Sequence, residues 1–151
     1  MNYLFDTSVL IAAFIASHKH HTRSKPWLAK AIQGKLKMSV CNHTLAELYA
    51  VLTKLPLSPR ISPSNALKLI EHNVLNVADL IQLTSKDYHN ILKELANNSM
   101  AGGITYDSII YYAAKKSNAT KLLTLNTQDF LRIHKDDRIT IVSPLHTTKV
   151  H

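Results

Sequence analysis

Five short apolar segments punctuate this chain, and a stretch of helical period follows nearly every one. Tyr3-Leu4-Phe5, KMSVCN (37–42), ADLIQLT (78–84), KLLTLN (121–126) and RITIV (138–142) read as strands. Most carry apolar side chains at successive positions instead of alternating ones, the pattern of strands covered on both faces. Between them the spacing predicts helices over 8–17, 27–35, 43–55, 85–98 and 105–117, with a short helical turn over 127–133. A further helix is expected to open at Ser64, and Ser85 is the expected cap of the one that follows. HKHHTRSKP (18–26) reads as a polar, basic loop, and PLSPRISP (56–63) is a proline-rich break. Strand alternating with helix predicts a single α/β domain over 1–151, built on a parallel twisted sheet of about five strands flanked by helices.

Charge narrows the function classes. The 151 residues carry 18 Lys plus Arg against 10 Asp plus Glu, a formal +8. Such an excess favours polyanions, nucleic acid above all. No apolar run approaches the ~18 residues of a membrane span. The N-terminus has no basic stretch ahead of its apolar one and carries Asp6 inside it, so a cytoplasmic protein without a secretion signal is expected. A lone cysteine, Cys41, fits that compartment and reads as a small buried hydrophobe.

The scarce acids stand at informative places. Asp6 interrupts an apolar run between the first strand and its helix. Asn42 follows the second strand, with Glu47 about one helical turn further on; Asn126 follows the fourth, with Asp129 three residues later. Asp107 lies in the first turn of the helix after Gly102-Gly103. In open parallel sheets ligands collect outside the carboxyl ends of the strands. Each acid also has a structural explanation. Asp6 can cap a helix, Thr44-x-x-Glu47 fits a capping box, and Asp107 and Asp129 are first-turn acids suited to the helix dipole. Setting these four aside leaves six acids against 18 basic residues. A small acidic focus on a basic surface suits a divalent ion within a phosphate-binding groove. Oxygen-only ligands favour Mg²⁺ or Mn²⁺.

YLFDTSVLI, LAELYAVL, GGITYDSII and LLTLNTQDF together resemble the PIN-domain nucleases, most closely the VapC-type toxins of toxin–antitoxin pairs. The likeness spans residues 2 to about 142, with the four acids separated by 41, 60 and 22 residues. It implies that Asp6, Glu47, Asp107 and Asp129 are catalytic and hold Mg²⁺ or Mn²⁺. Many relatives place an acid at position 126; here it is Asn126, so Asp129 takes the fourth carboxylate role and Asn126 supports it. Thr7 and Ser8 match the hydroxyls that follow the first Asp, and Ser108 stands where relatives often have Ala. The resemblance further implies a PIN-like fold, metal-dependent RNA cleavage by activated water, a cognate antitoxin that buries the site, and a homodimer.

Other features have plainer readings. His18, His20 and His21 suit an RNA-contacting or solvated loop, with no cysteine near to complete a zinc site. The lysines of that loop and of AAKKS (113–117) are candidates for holding RNA backbone. Trp27 reads as a core or partner anchor. Tyr111 and Tyr112 read as core, with one able to face the site. Two further functions stay open: a PIN ribonuclease of RNA processing or decay without an antitoxin, and a non-catalytic nucleic-acid-binding module, whose signature would be loss of an acid. A receiver-like or phosphatase-like domain is disfavoured, because the strand-end lysine it needs is missing.

Overall fold

The computed structural model describes residues 1–146. In chain order the elements are β1 (Asn2–Phe5), α1 (Thr7–Phe14), α2 (His21–Ile32), β2 (Lys37–Cys41), α3 (Asn42–Lys54) and α4 (Pro63–Ile70). A π-helical turn (Glu71–Leu75) follows, then β3 (Asp79–Ile81), α5 (Ser85–Asn97), α6 (Ile104–Lys116), β4 (Lys121–Leu123), α7 (Thr127–Ile133) and β5 (Thr140–Val142). The five strands form one parallel sheet in the order β3-β2-β1-β4-β5. The order reverses at β1: the chain first builds outward through β2 and β3, then returns to lay β4 on the other side. That reversal opens a crevice at the carboxyl edge between β1 and β4.

Strand geometry explains why the strand segments are apolar throughout. Side chains along a strand point alternately to opposite faces. Tyr3 and Phe5 join Val40, Leu123 and the buried stripe of α1, α3 and α4, including Val9, Leu48, Leu52 and Ala66. Leu4, Cys41 and Leu122 join the layer of α5, α6 and α7, including Ile91, Ile110, Ala113 and Phe130. Both faces of the sheet are therefore covered. Cys41 is fully buried, and burial pushes its thiol up to about 11, so it behaves as the hydrophobe expected. Trp27 packs its ring 5.4 Å from Tyr3, an anchor on the core.

Several boundaries differ from the sequence expectation. The basic segment 18–26 is not all loop, because α2 begins at His21. Pro26 sits inside that helix, where it gives up an N–H bond and crowds the carbonyl four residues back, and the following turn buries Leu28 and Ala31. His21 Nδ1 also lies 2.9 Å from the Ala12 carbonyl and ties the helix start to α1. The cap of α5 is Thr84, not Ser85: Thr84 Oγ1 accepts the Asp87 N–H at 3.2 Å, and Asp87 accepts the Thr84 N–H at 2.8 Å. Likewise Ser62 caps α4 through the Asn65 N–H, with Pro63 in the first turn where its missing N–H costs nothing. Finally, β4 stops at Leu123 because side chains take over the backbone N–H groups beyond it. The Ser8 hydroxyl accepts Leu125 N–H at 3.1 Å and the Thr124 hydroxyl accepts Asn126 N–H at 2.9 Å. Among the described residues no helix is long and apolar enough to cross a membrane.

Candidate active site

The crevice at the carboxyl edge is an open cleft of about 420 Å³, within the usual range for ligand sites. Asp6, Glu47, Asp107 and Asn126 line it, from four separate parts of the chain. The sheet brings Asp6 there at the end of β1. Glu47 arrives from α3, and Asp107 from the N-terminal turns of α6, entered through Gly102 at φ +78°, a conformation glycine tolerates.

Asp6 is 5% exposed. It occupies the N-cap position of α1, yet makes no side-chain capping bond. Its Oδ2 instead accepts two hydroxyls, Ser8 Oγ at 2.7 Å and Thr124 Oγ1 at 2.7 Å. Each hydroxyl in turn accepts a backbone N–H, which fixes its proton toward the carboxylate. Among the described residues no side-chain donor reaches Oδ1. Burial raises the Asp6 pKa, and the two hydroxyls oppose that rise.

Glu47 is held by a hydroxyl relay. Thr7 Oγ1 lies 3.2 Å from Glu47 Oε1 and 3.0 Å from the buried Thr44 Oγ1. The capping box expected of Thr44 and Glu47 does not form, because α3 already starts at Asn42 and Thr44 sits inside it. Burial raises the Glu47 pKa, His43 and Thr7 lower it, and the charge of Asp6 raises it again. His43 Nε2 stands 3.8 Å from Glu47 Oε1, beyond hydrogen-bond reach. Its ring stacks on Tyr106 at 5.7 Å with 16° between planes.

Asp107 is pushed up to about 6, first by burial and then by the charges of Asp6, Asp129 and Glu47, with Arg132 opposing. Asp129 is thus near enough to act on Asp107, but Asn126 rather than Asp129 forms the cleft wall at that corner. Among the described residues no Lys or Arg makes an ion pair with these four carboxylates. Nor do three of the acidic, histidine or cysteine side chains there converge on a single point. The three carboxylates share one opening, where the charge of Asp6 raises the proton affinity of Glu47, and those of Asp6 and Glu47 raise that of Asp107. Hard oxygen donors with uncompensated charge suit a divalent cation of the Mg²⁺ or Mn²⁺ type.

Of the residues expected from the sequence, Asp6, Thr7, Ser8, Glu47, Asp107 and Asn126 line the cleft and Asp129 does not, while Thr124 and Tyr106 were not anticipated. Thr124 carried one weak signal, a hydroxyl just past an apolar strand. The expectation for Tyr111 and Tyr112 resolves to packing. The Tyr111 hydroxyl accepts the N–H groups of Lys135 and Asp136, and Tyr112 donates to Asp87. Lys116 pairs with Asp87 at 2.6 Å, and neither it nor Lys115 lines the cleft. His18, Lys19 and His20 do line it.

The sequence model of the PIN domain matches residues 3–136. Ribonuclease VapC27 of Mycobacterium tuberculosis is 32% identical over 114 residues, covering 76% of this chain and 77% of the relative. Ribonuclease VapC40 of the same species is 31% identical over 119 residues, covering 79% and 82%. Among solved structures, M. tuberculosis VapC20, described as a sarcin–ricin-loop-cleaving toxin, superposes with TM-score 0.68 at 16% identity over 89% of this chain and 97% of that one. VapBC2 from Rickettsia felis, bound to promoter DNA, gives 0.66 at 20% identity over 95% and 98%. These two share the fold.

Proposed function

The chain belongs to the PIN-domain family, and from that premise we propose that its acidic cleft is the active site of an endoribonuclease, the toxin of a toxin–antitoxin pair. The observation that carries this reading is the meeting of Asp6, Glu47 and Asp107 at one opening with no Lys or Arg ion-paired to them among the described residues, in a chain of net charge +8. The ribonuclease names of the relatives and the toxin–antitoxin complexes among the structural neighbours support it.

PIN-domain nucleases are in general divalent-metal dependent. Here Asp6, Glu47 and Asp107 would hold Mg²⁺ or Mn²⁺, with Asp129 and Asn126 supporting them at the margin. The bound ion supplies Lewis-acid polarisation of a phosphate and a lowered pKa for water. The chain's own part is positioning. Ser8 and Thr124 anchor Asp6 Oδ2 and so orient the carboxylate. Thr7, backed by Thr44, fixes Glu47. The exposed Lys19 on the cleft wall attracts the RNA backbone. The remaining partners in this reading are an antitoxin that covers the cleft and a second copy of the chain, in the cytoplasm.

The test is incubation with total RNA in Mg²⁺, in Mn²⁺ and in EDTA, with Asp6→Ala alongside. Metal-dependent cutting that disappears in Asp6→Ala, with the variant still folded, is the expected result. Equal cutting by both proteins would place the activity elsewhere. A small protein that copurifies, seen by mass spectrometry, is the expected antitoxin.

A further inference from the structure

Of the three tyrosines on α6, two are spent on packing and hydrogen bonds, as described above. Tyr106 is not. It precedes Asp107, lines the cleft, and keeps 56% of its surface in solvent. Leaving so large an apolar ring exposed forgoes the burial that its neighbours obtain. Its orientation is nevertheless fixed. His43, anchored in the first turn of α3, stacks on one face of the ring nearly in parallel. More than half of the side chain stays in solvent at the cleft, where a planar ligand can reach the ring. The same cleft is bordered by the His18-Lys19-His20 segment, where His18 Nδ1 accepts the His20 N–H at 3.0 Å and holds the bend that carries Lys19.

We infer that Tyr106, propped by His43, is a stacking platform for a nucleobase beside the scissile phosphate, so that it sets which base flanks the cut. This rests on the ribonuclease reading and names the residue that positions its substrate. Inside an A-form duplex both faces of every base are covered by neighbours, so only a splayed or looped-out base offers a face to a protein ring. Lys19 holds a neighbouring phosphate while the base is stacked, which sets the register of the strand against Asp6 and Asp107. Tyr106 acts on binding and register.

The test is end mapping of cuts made by the wild-type protein in a cellular RNA pool of known secondary structure, with Tyr106→Ala and Tyr106→Trp in parallel. Cuts are expected in loops and single strands, with a base preference at one position flanking the cut. Tyr106→Ala is expected to lose about 10-fold in kcat/KM, the scale of one lost base stack, and to flatten that preference. Tyr106→Trp retains both. Cuts spread equally over duplex regions would overturn the inference. So would unchanged rate and preference in Tyr106→Ala, or a Trp variant as poor as the Ala variant. Absence of metal-dependent cutting by the wild type would instead remove the ribonuclease reading, and this inference with it.

Discussion

Thr124→Val removes the hydroxyl that supports the buried carboxylate with little change in shape, and with it the acceptor of the Asn126 N–H. Thr124 is fully buried, and its hydroxyl donates to Asp6 Oδ2 at 2.7 Å. Valine fills the same volume, so no cavity opens, but one of the two hydroxyl donors to Asp6 is gone. A hydrogen bond to a charged group is worth about 1.5–3 kcal/mol. That bond favours the ionised carboxylate, so its loss moves the Asp6 carboxyl further up from its already raised position. A proton and a divalent ion compete for the same oxygens, and the ion is expected to lose. Removal of such an outer partner costs about 10–100-fold in metal affinity or activity. The assay is Mn²⁺ titration by calorimetry at neutral pH, with RNA cleavage measured on the same samples. Thr124→Ser, which keeps the hydroxyl, is expected to stay close to wild type. Native-like melting of Thr124→Val together with unchanged Mn²⁺ affinity would refute the reasoning, because the bond would then have no bearing on the ion.

Two further perturbations test the electrostatics and the scaffold. Asp107 lies at about 6, above its unfolded value near 4, so the folded protein holds that proton more tightly than the unfolded chain does. Its contribution is therefore favourable at low pH and is lost as pH rises through about 6. In EDTA, Asp107→Asn is expected to gain thermal stability relative to wild type as pH rises from about 4.5 to about 7, and excess Mn²⁺ is expected to shrink that gain; equal melting curves at both pH values would contradict this. Thr84→Ala removes the capping box of α5, far from the cleft, and is expected to cost about 1 kcal/mol in urea unfolding with RNA cleavage unaltered.

The sequence alone determined the class of fold and the order of the acids. Apolar runs such as Tyr3-Leu4-Phe5 and the three-to-four spacing of Leu45, Leu48 and Leu52 are local patterns, and local patterns specify strand and helix. Asp6, Glu47, Asp107 and Asp129 were visible because a carboxylate inside or beside an apolar run is rare enough to demand a reason. Element ends were less readable. The start of α2 at His21 depends on contacts with α1, and the end of β4 depends on hydroxyls that capture its next N–H groups. The apparent Thr44–Glu47 capping box was a false local signal, since the true N-cap is Cys41, three residues earlier, and both side chains turn to a different use.

What tertiary structure decided is which residues face one another. Asp6 and Thr124 are 118 positions apart, and they meet only because β1 and β4 are neighbours in the sheet. Tyr106, Tyr111 and Tyr112 share one helix and are alike in sequence, but rotation about the helix axis sends one to the cleft and two into packing. Asn126 lines the cleft while Asp129, three residues on in the first turn of α7, stands outside its wall and acts on Asp107 through its charge. Periodicity records how a segment meets the core as a whole. The partner of a given side chain is set by the crossing of distant elements, and that is fixed only when the sheet closes around β1.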